Sequence, residues 1–253
     1  MLSANLMSKT IKGSFKFWLG VTIPLCILLA LLIFAANFAI NNPTESTNIS
    51  TVSMEVLIPY YSLFALLLPI IYIAVTANKL IAAQVDRGSM ANILSRPVKR
   101  SQVSLTQALC LIVSIIAMFA LITITGIIMI SATSLEVEIG VFLLLNLGIA
   151  CVHLAIGGIA FFASCIFNYS SPALVVGAGL PIIFFLFDML SGFSSQVKIM
   201  QLFKYLTIFS LYNISDIVAY SSNMIWQFLI LFGIAVGCYI AGVLYFNKKD
   251  LPL

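Results

Sequence analysis

Charge is what this chain has least of. Lys, Arg, Asp and Glu together make up 8% of its 253 residues, against about 25% in a typical soluble domain. A soluble fold has to cover its outside with polar groups, so the shortage excludes an ordinary cytosolic enzyme and a disordered chain. Histidine is nearly absent, His153 being the only one. The five cysteines, Cys26, Cys110, Cys151, Cys165 and Cys238, form no CxxC pair, and each sits inside an apolar run. They read as small buried hydrophobes. That excludes a disulfide scaffold and leaves no metal site of ordinary ligand count. No GxxxxGK(S/T) loop is present, so the chain lacks that cradle for ATP phosphates. No catalytic, cofactor-binding or metal-ligating residue is assigned.

Apolar residues are abundant instead, at 62% of the chain with mean hydropathy +1.16. A helix needs about 20 apolar residues to cross the hydrocarbon core of a membrane. Six stretches qualify, at about 17–40, 57–77, 102–130, 139–167, 172–193 and 224–246. Membrane strands would alternate apolar and polar residues, and these runs do not. The expected fold is all-α and integral to a membrane, a single transmembrane domain over 1–253 with six transmembrane helices. The first run covers 24 residues, from 17 to 40. It exceeds the roughly 7–15 residues of a signal-peptide core and reads as an uncleaved span.

Basic residues set the expected orientation. Lys9, Lys12 and Lys16 precede span 1, while Lys79, Arg87, Arg96, Lys99 and Arg100 lie between spans 2 and 3. Lys248 and Lys249 follow span 6. Only Lys198 and Lys204 fall on the other side, in company with Glu45, Glu55, Glu136 and Glu138. Both termini are therefore expected in the cytoplasm. Residues 1–16 read as an interfacial helix, with Met7, Ile11, Phe15 and Trp18 on one face and Lys9, Lys12 and Lys16 on the other. The alternative is a frayed start to span 1. Between spans 5 and 6, residues 194–223 mix Phe203, Leu206, Phe209 and Leu211 with Tyr205, Tyr212 and Tyr220. This is expected to be a re-entrant-like segment in the outer interface, where Tyr is favoured. The two halves show no repeat, so inverted-repeat transporters gain no support.

The most charged piece of the chain is the least expected. Residues 84–100 read Gln-Val-Asp-Arg-Gly-Ser-Met-Ala-Asn-Ile-Leu-Ser-Arg-Pro-Val-Lys-Arg. Met90, Ile93 and Leu94 share a face at helical spacing, and Pro97 disfavours helix at Arg96. The pattern predicts a short amphipathic helix at about 83–96, with Arg96, Lys99 and Arg100 beside its end. An ordinary positive-inside loop needs no apolar helical face. An apolar face edged with charge suits docking into a groove on a cytosolic partner.

This segment resembles that of bacterial type-2 ABC transporter permeases: acidic–x–Gly–(Ser/Thr) at Asp86, Gly88 and Ser89, then Leu94-Ser95-Arg96-Pro97-Val98-Lys99-Arg100, followed by a span. The ending Phe246-Asn-Lys-Lys-Asp-Leu251 is similar too. The chain departs at Gln107, where the family often has Lys, and at Asp86, where the acid is usually Glu. The resemblance implies a permease subunit of an ATP-driven exporter in a bacterial plasma membrane, non-catalytic itself. It would pair with a second permease, identical or homologous, and stand on two copies of an ABC-type ATP-binding subunit. No cofactor would belong to this chain, and ATP and Mg²⁺ would be held by the partner subunit. The helix at 83–96 would be the coupling helix. By the same resemblance Asp86, Arg87, Gly88, Met90, Leu94, Arg96, Pro97 and Arg100 would transmit closure of the ATPase pair to the spans. The turn at 168–171 would be a second contact.

Three residues within the spans are candidates for the pathway or its gating. Asp188 in span 5 is a costly intramembrane carboxylate, or else is wetted from outside, since it lies near the end of the span. His153 lies midway along span 4 and reads as an interhelical hydrogen-bonder rather than a proton switch. Pro181 should kink span 5. The Gly233–Gly237 step in span 6 permits close helix contact.

Rival functions are weaker. A six-span serine protease of rhomboid type needs Gly-x-Ser-Gly ahead of its histidine, whereas Ser191-Gly192 follows His153. A lipid transferase would need clustered carboxylates for Mg²⁺, and Asp188 stands alone in the spans. The remaining alternative is an ion-coupled secondary transporter without an ATPase, using Asp188. That reading leaves the helix at 83–96 unexplained.

Overall fold

The computed structural model describes residues 4–41, 57–90, 99–133, 135, 137–192 and 201–250. Among them every regular element is helical: α1 (Ala4–Asn41), α2 (Ala65–Leu80) preceded by a π turn (Tyr60–Phe64), α3 (Ala82–Asp86), α4 (Arg100–Ala132), α5 (Ile139–Ile166), α6 (Ser170–Ser191), α7 (Gln201–Tyr205), a 3₁₀ turn (Ile208–Leu211), α8 (Ile214–Val218) and α9 (Asn223–Lys248). Six helical segments are long and apolar enough to cross a membrane, the second being Leu57–Asp86 taken as a whole.

α5 is the hub. It packs most extensively on α9 and also meets α2, α6 and α4, whereas α1 lies along α4 and α2. Gly158 explains the close α5–α9 approach. A Cβ added there would stand 3.0 Å from the Ala235 carbonyl oxygen, a backbone atom that cannot swing aside. With lipid tails as apolar as leucine, van der Waals contact at such small residues drives helix association. More than half of α5's apolar stretch is buried, 56%, against 22% in α6 and in α9.

The π turn aims two successive tyrosines inward. Tyr60 Oη donates to the Leu25 carbonyl of α1 (3.3 Å), and Asn146 Nδ2 of α5 donates to Tyr61 Oη (2.7 Å). A π turn inserts one extra residue into the helical ladder, which rotates both rings off the lipid face. In lipid these polar atoms have no water to turn to, so they must find partners inside the protein.

Two sequence expectations change in detail. Residues 4–16 are helical but form no separate element: they are the opening turns of a helix continuous to Asn41. Thr10 Oγ1, in those turns, donates to Gln107 Oε1 of α4 (3.3 Å), and Trp18 Nε1 donates to the Ser114 carbonyl (2.9 Å). No Gly or Pro stands between residues 14 and 19 to stop the helix, and α4 supplies a partner along its length. Of the expected helix at 83–96, residues 91–96 lie outside the described residues, and the described part is helical on both sides of a turn at 87–88. α3 ends at Asp86, and Gly88 takes a left-handed backbone, φ +68. A residue without Cβ adopts that conformation at little cost, so the chain turns there.

Candidate functional site at the basic end

Helix termini leave backbone groups without partners, and this bundle satisfies several of them with charged side chains from distant segments. α6 begins after Tyr169, whose side chain makes no cap. Its first amide, Ser170 N–H, instead donates to Asp86 Oδ2 at 3.1 Å. A carboxylate at a helix N-terminus also complements the helix dipole. Asn78 Nδ2, near the end of α2, donates to Ser170 Oγ at 2.7 Å. Two parts of the second span thus converge on the start of the fifth.

A second clasp lies at the same end. Lys249, just past α9, places its Nζ 2.6 Å from the Ile166 carbonyl and 3.0 Å from the Cys165 carbonyl. These are the orphan acceptors at the C-terminus of α5, where a cation is favoured by the dipole. Arg100 Nη1, from the first residue of α4, donates to the Lys249 carbonyl at 3.1 Å. Desolvation between the helix ends pulls the Lys249 ammonium below its ordinary lysine value, and the neighbouring Cys165 sulfur acts in the opposite sense. Together the two clasps join α2, α3, α4, α5, α6 and α9.

The sequence-derived site residues divide accordingly. Asp86 and Arg100 face partners within this chain, Arg87 and Gly88 are exposed on the turn between them, and Met90 is fully buried. Leu94, Arg96 and Pro97 lie outside the described residues. Asn78, Ser170 and Lys249 were missed as individual partners. The only hint was positional: Ser170 falls in the 168–171 turn, and Lys249 in the basic ending.

The three residues within the spans are separate from this end. His153 is wholly buried midway along α5, with Nδ1 2.8 Å from the Ile149 carbonyl and Nε2 3.0 Å from the Leu66 carbonyl. It braces α5 against α2, with its ring 5.0 Å from that of Phe119. Pro181 is buried in mid-α6. Asp188 is partly exposed in the last turn of α6. The structure does not bring these three into one cluster with the basic end. Among the described residues, no group of three or more His, Cys, Asp or Glu side chains could hold a metal ion.

The opposite end is closed by residues 201–222, folded back on the bundle. Phe209 packs edge-on against Phe185 of α6 with ring centroids 6.1 Å apart, and Tyr212 Oη donates to the Leu145 carbonyl of α5 (3.3 Å). Tyr220 Oη donates to Glu138 Oε1 at 2.6 Å, and that bond raises the Tyr220 hydroxyl above its ordinary value.

A helical bundle with six membrane-crossing segments defines a multi-pass membrane protein. Within that class, residues 7–251 match the model of the ABC-2 family transporter proteins. The chain belongs to that family. No curated protein matches it.

Proposed function

We propose that this chain is the permease subunit of an ATP-driven exporter in a bacterial plasma membrane, with both termini cytoplasmic. It forms the translocation pathway with a second permease, identical or homologous. Separate ABC-type ATP-binding subunits, two per complex, hold ATP and Mg²⁺ and do the hydrolysis. Family membership supports the class. The observation that carries the mechanism is the lacing of Asp86 and Arg100, at the two borders of the 87–99 segment, to the ends of α6 and α9. A push on the segment from a cytosolic partner reaches spans 2 and 3 through the chain itself, and spans 4, 5 and 6 through two hydrogen bonds and the Lys249 clasp. Asp86, Arg87, Gly88, Met90, Leu94, Arg96, Pro97 and Arg100 form the coupling region in this reading. Asp86 and Arg100 act as positioning residues that hold its borders, and the exposed Arg87 is left for the partner.

The test is a mild-detergent pull-down of the tagged chain from its native membrane, with mass spectrometry of what accompanies it. A stoichiometric P-loop ATPase is expected, lost in the Arg87→Glu/Arg96→Glu variant. A chain that purifies alone would overturn the proposal in favour of the ion-coupled carrier. That rival predicts loss of transport in Asp188→Asn, whereas an ATP-driven complex should keep most of its activity.

A further inference from the structure

A cavity of about 170 Å³ lies between α1, α2 and α4, in the half of the bundle nearer the basic end. Thr10, Phe15 and Trp18 wall it from α1, Tyr72 from α2, and Cys110 and Ala117 from α4. Its lining residues Ile11, Phe15 and Val113 are each nearly half exposed, so it opens sideways to the lipid-facing surface.

The cavity is chemically one-sided. Three of its polar lining groups are turned to internal partners: the Thr10 hydroxyl to Gln107, the Ser114 hydroxyl to the Leu111 carbonyl, and the Trp18 indole to the Ser114 carbonyl. What faces the space is mainly hydrocarbon. A water needs two to four polar partners to settle in a cavity, and this one offers few. In a membrane the solvent at hand is an acyl chain.

The surrounding charge has one sign. α1, α2 and α4 carry Lys9, Lys12, Lys16, Lys79 and Arg100, and not one Asp or Glu. Lys12 and Lys16 are exposed, each next in sequence to a lining residue, Ile11 or Phe15. Lys79 precedes the lining residue Leu80, and its ammonium stands 5.2 Å from the centroid of the Phe17 ring. Thr76, which lines the cavity from α2, has a buried hydroxyl with no hydrogen-bond partner. Exposed cations on the helices that wall it, a lining hydroxyl free to donate and an apolar slot match the three parts of an anionic glycerophospholipid: phosphate, ester carbonyl and acyl chain.

We infer that this cavity is a binding site for one acyl chain of an anionic phospholipid from the leaflet at the basic end. It holds that lipid where α1 meets α2 and α4. The inference does not rest on the transport reading above, and its test does not measure transport.

The chain has two tryptophans, Trp18 and Trp226, so Trp226→Phe leaves Trp18 as the sole indole reporter. The full-length variant is reconstituted into phosphatidylcholine vesicles. A minor fraction of the lipid is then replaced by phosphatidylglycerol or phosphatidylcholine bearing dibrominated chains, which quench indole on contact. The expected result is Trp18 quenching roughly fivefold stronger by the brominated phosphatidylglycerol at equal mole fraction, the attraction of about one lysine near a surface phosphate. Adding Ala117→Leu, which fills the slot, should bring the two lipids level. Lys12→Gln/Lys16→Gln, at exposed positions, should weaken the preference without touching the packing. Equal quenching by the two lipids would overturn the inference. So would a preference that survives both changes. The same preference at Trp226 in a Trp18→Phe chain would also overturn it, because it would mean general enrichment of anionic lipid around the protein.

Discussion

The two ends of the bundle are held by different physics. At the basic end, a few charged side chains sit on helix termini: Asp86 on the start of α6, Lys249 on the end of α5 and Arg100 on the carbonyl of Lys249. At the other end, aromatic rings on a folded-back segment pack against α5 and α6, with Phe209 only 2% exposed. Burial is broad and insensitive to small displacements. A hydrogen bond to a helix end is local and directional, and weakens steeply with misalignment. The basic end can therefore be rearranged at modest cost, while the far end keeps its packing.

Replacements at the two ends should separate along this line. The largest effect is expected from Phe209→Ala, which empties a buried aromatic site and should cost about 3–5 kcal/mol. Thermal unfolding in detergent reads it as a clear drop in melting temperature, and an unchanged melting curve would count against a packed far end. Lys249→Met keeps the apolar stem but leaves the Cys165 and Ile166 carbonyls without their charged donor. About 1–3 kcal/mol should be lost, and in the proposed ATP-driven complex transport per ATP hydrolysed should fall further than stability does. If transport and stability fell in proportion, the clasp would be structural only.

Gly88→Ala comes next. Nothing lies within 4 Å of the added methyl, so any penalty is backbone strain, about 1–2 kcal/mol for a left-handed residue with a Cβ. Because the methyl has room, a chain that tolerates the change with full ATPase coupling would show that the turn need not be held. The smallest effect is expected from Asp86→Asn. It keeps the shape and removes the charge from the start of α6, a matter of about 0.3–1 kcal/mol that salt should mask. Melting temperatures of the two proteins should converge as salt is added. A salt-independent gap would mean that Asp86 acts through something other than the α6 dipole.

The spans were legible in the sequence because length and hydropathy report directly on membrane crossing. The third expected span, 102–130, and the helix Arg100–Ala132 differ by two residues at each end. The faces of the spans were not legible. A helix that is apolar all round carries no stripe to say which side meets a neighbour, so the central place of α5 emerges only from contacts such as Gly158 on Ala235. The clasps were hidden for another reason. Asp86, Lys249 and Arg100 each bond to a backbone group, and a backbone partner leaves no residue-type signature. The turn at Gly88 was visible as a glycine, yet the apolar spacing of Met90, Ile93 and Leu94 suggested one uninterrupted helix. The amphipathic pattern at the N-terminal end likewise gives no indication of where the helix stops, and α1 runs on from it without a break.

α1 has 38 residues, which at 1.5 Å per residue makes a rod of about 57 Å, nearly twice the roughly 30 Å of a bilayer's hydrocarbon core. It cannot stand upright and stay within the membrane. It has to lean, bend at Pro24 or reach well past one surface. A rod of that length is a lever: rocking it by about ten degrees around its middle carries each tip by about 5 Å. Thr10 and Trp18 fasten one arm to α4, so a change of tilt in either helix must be shared by the other.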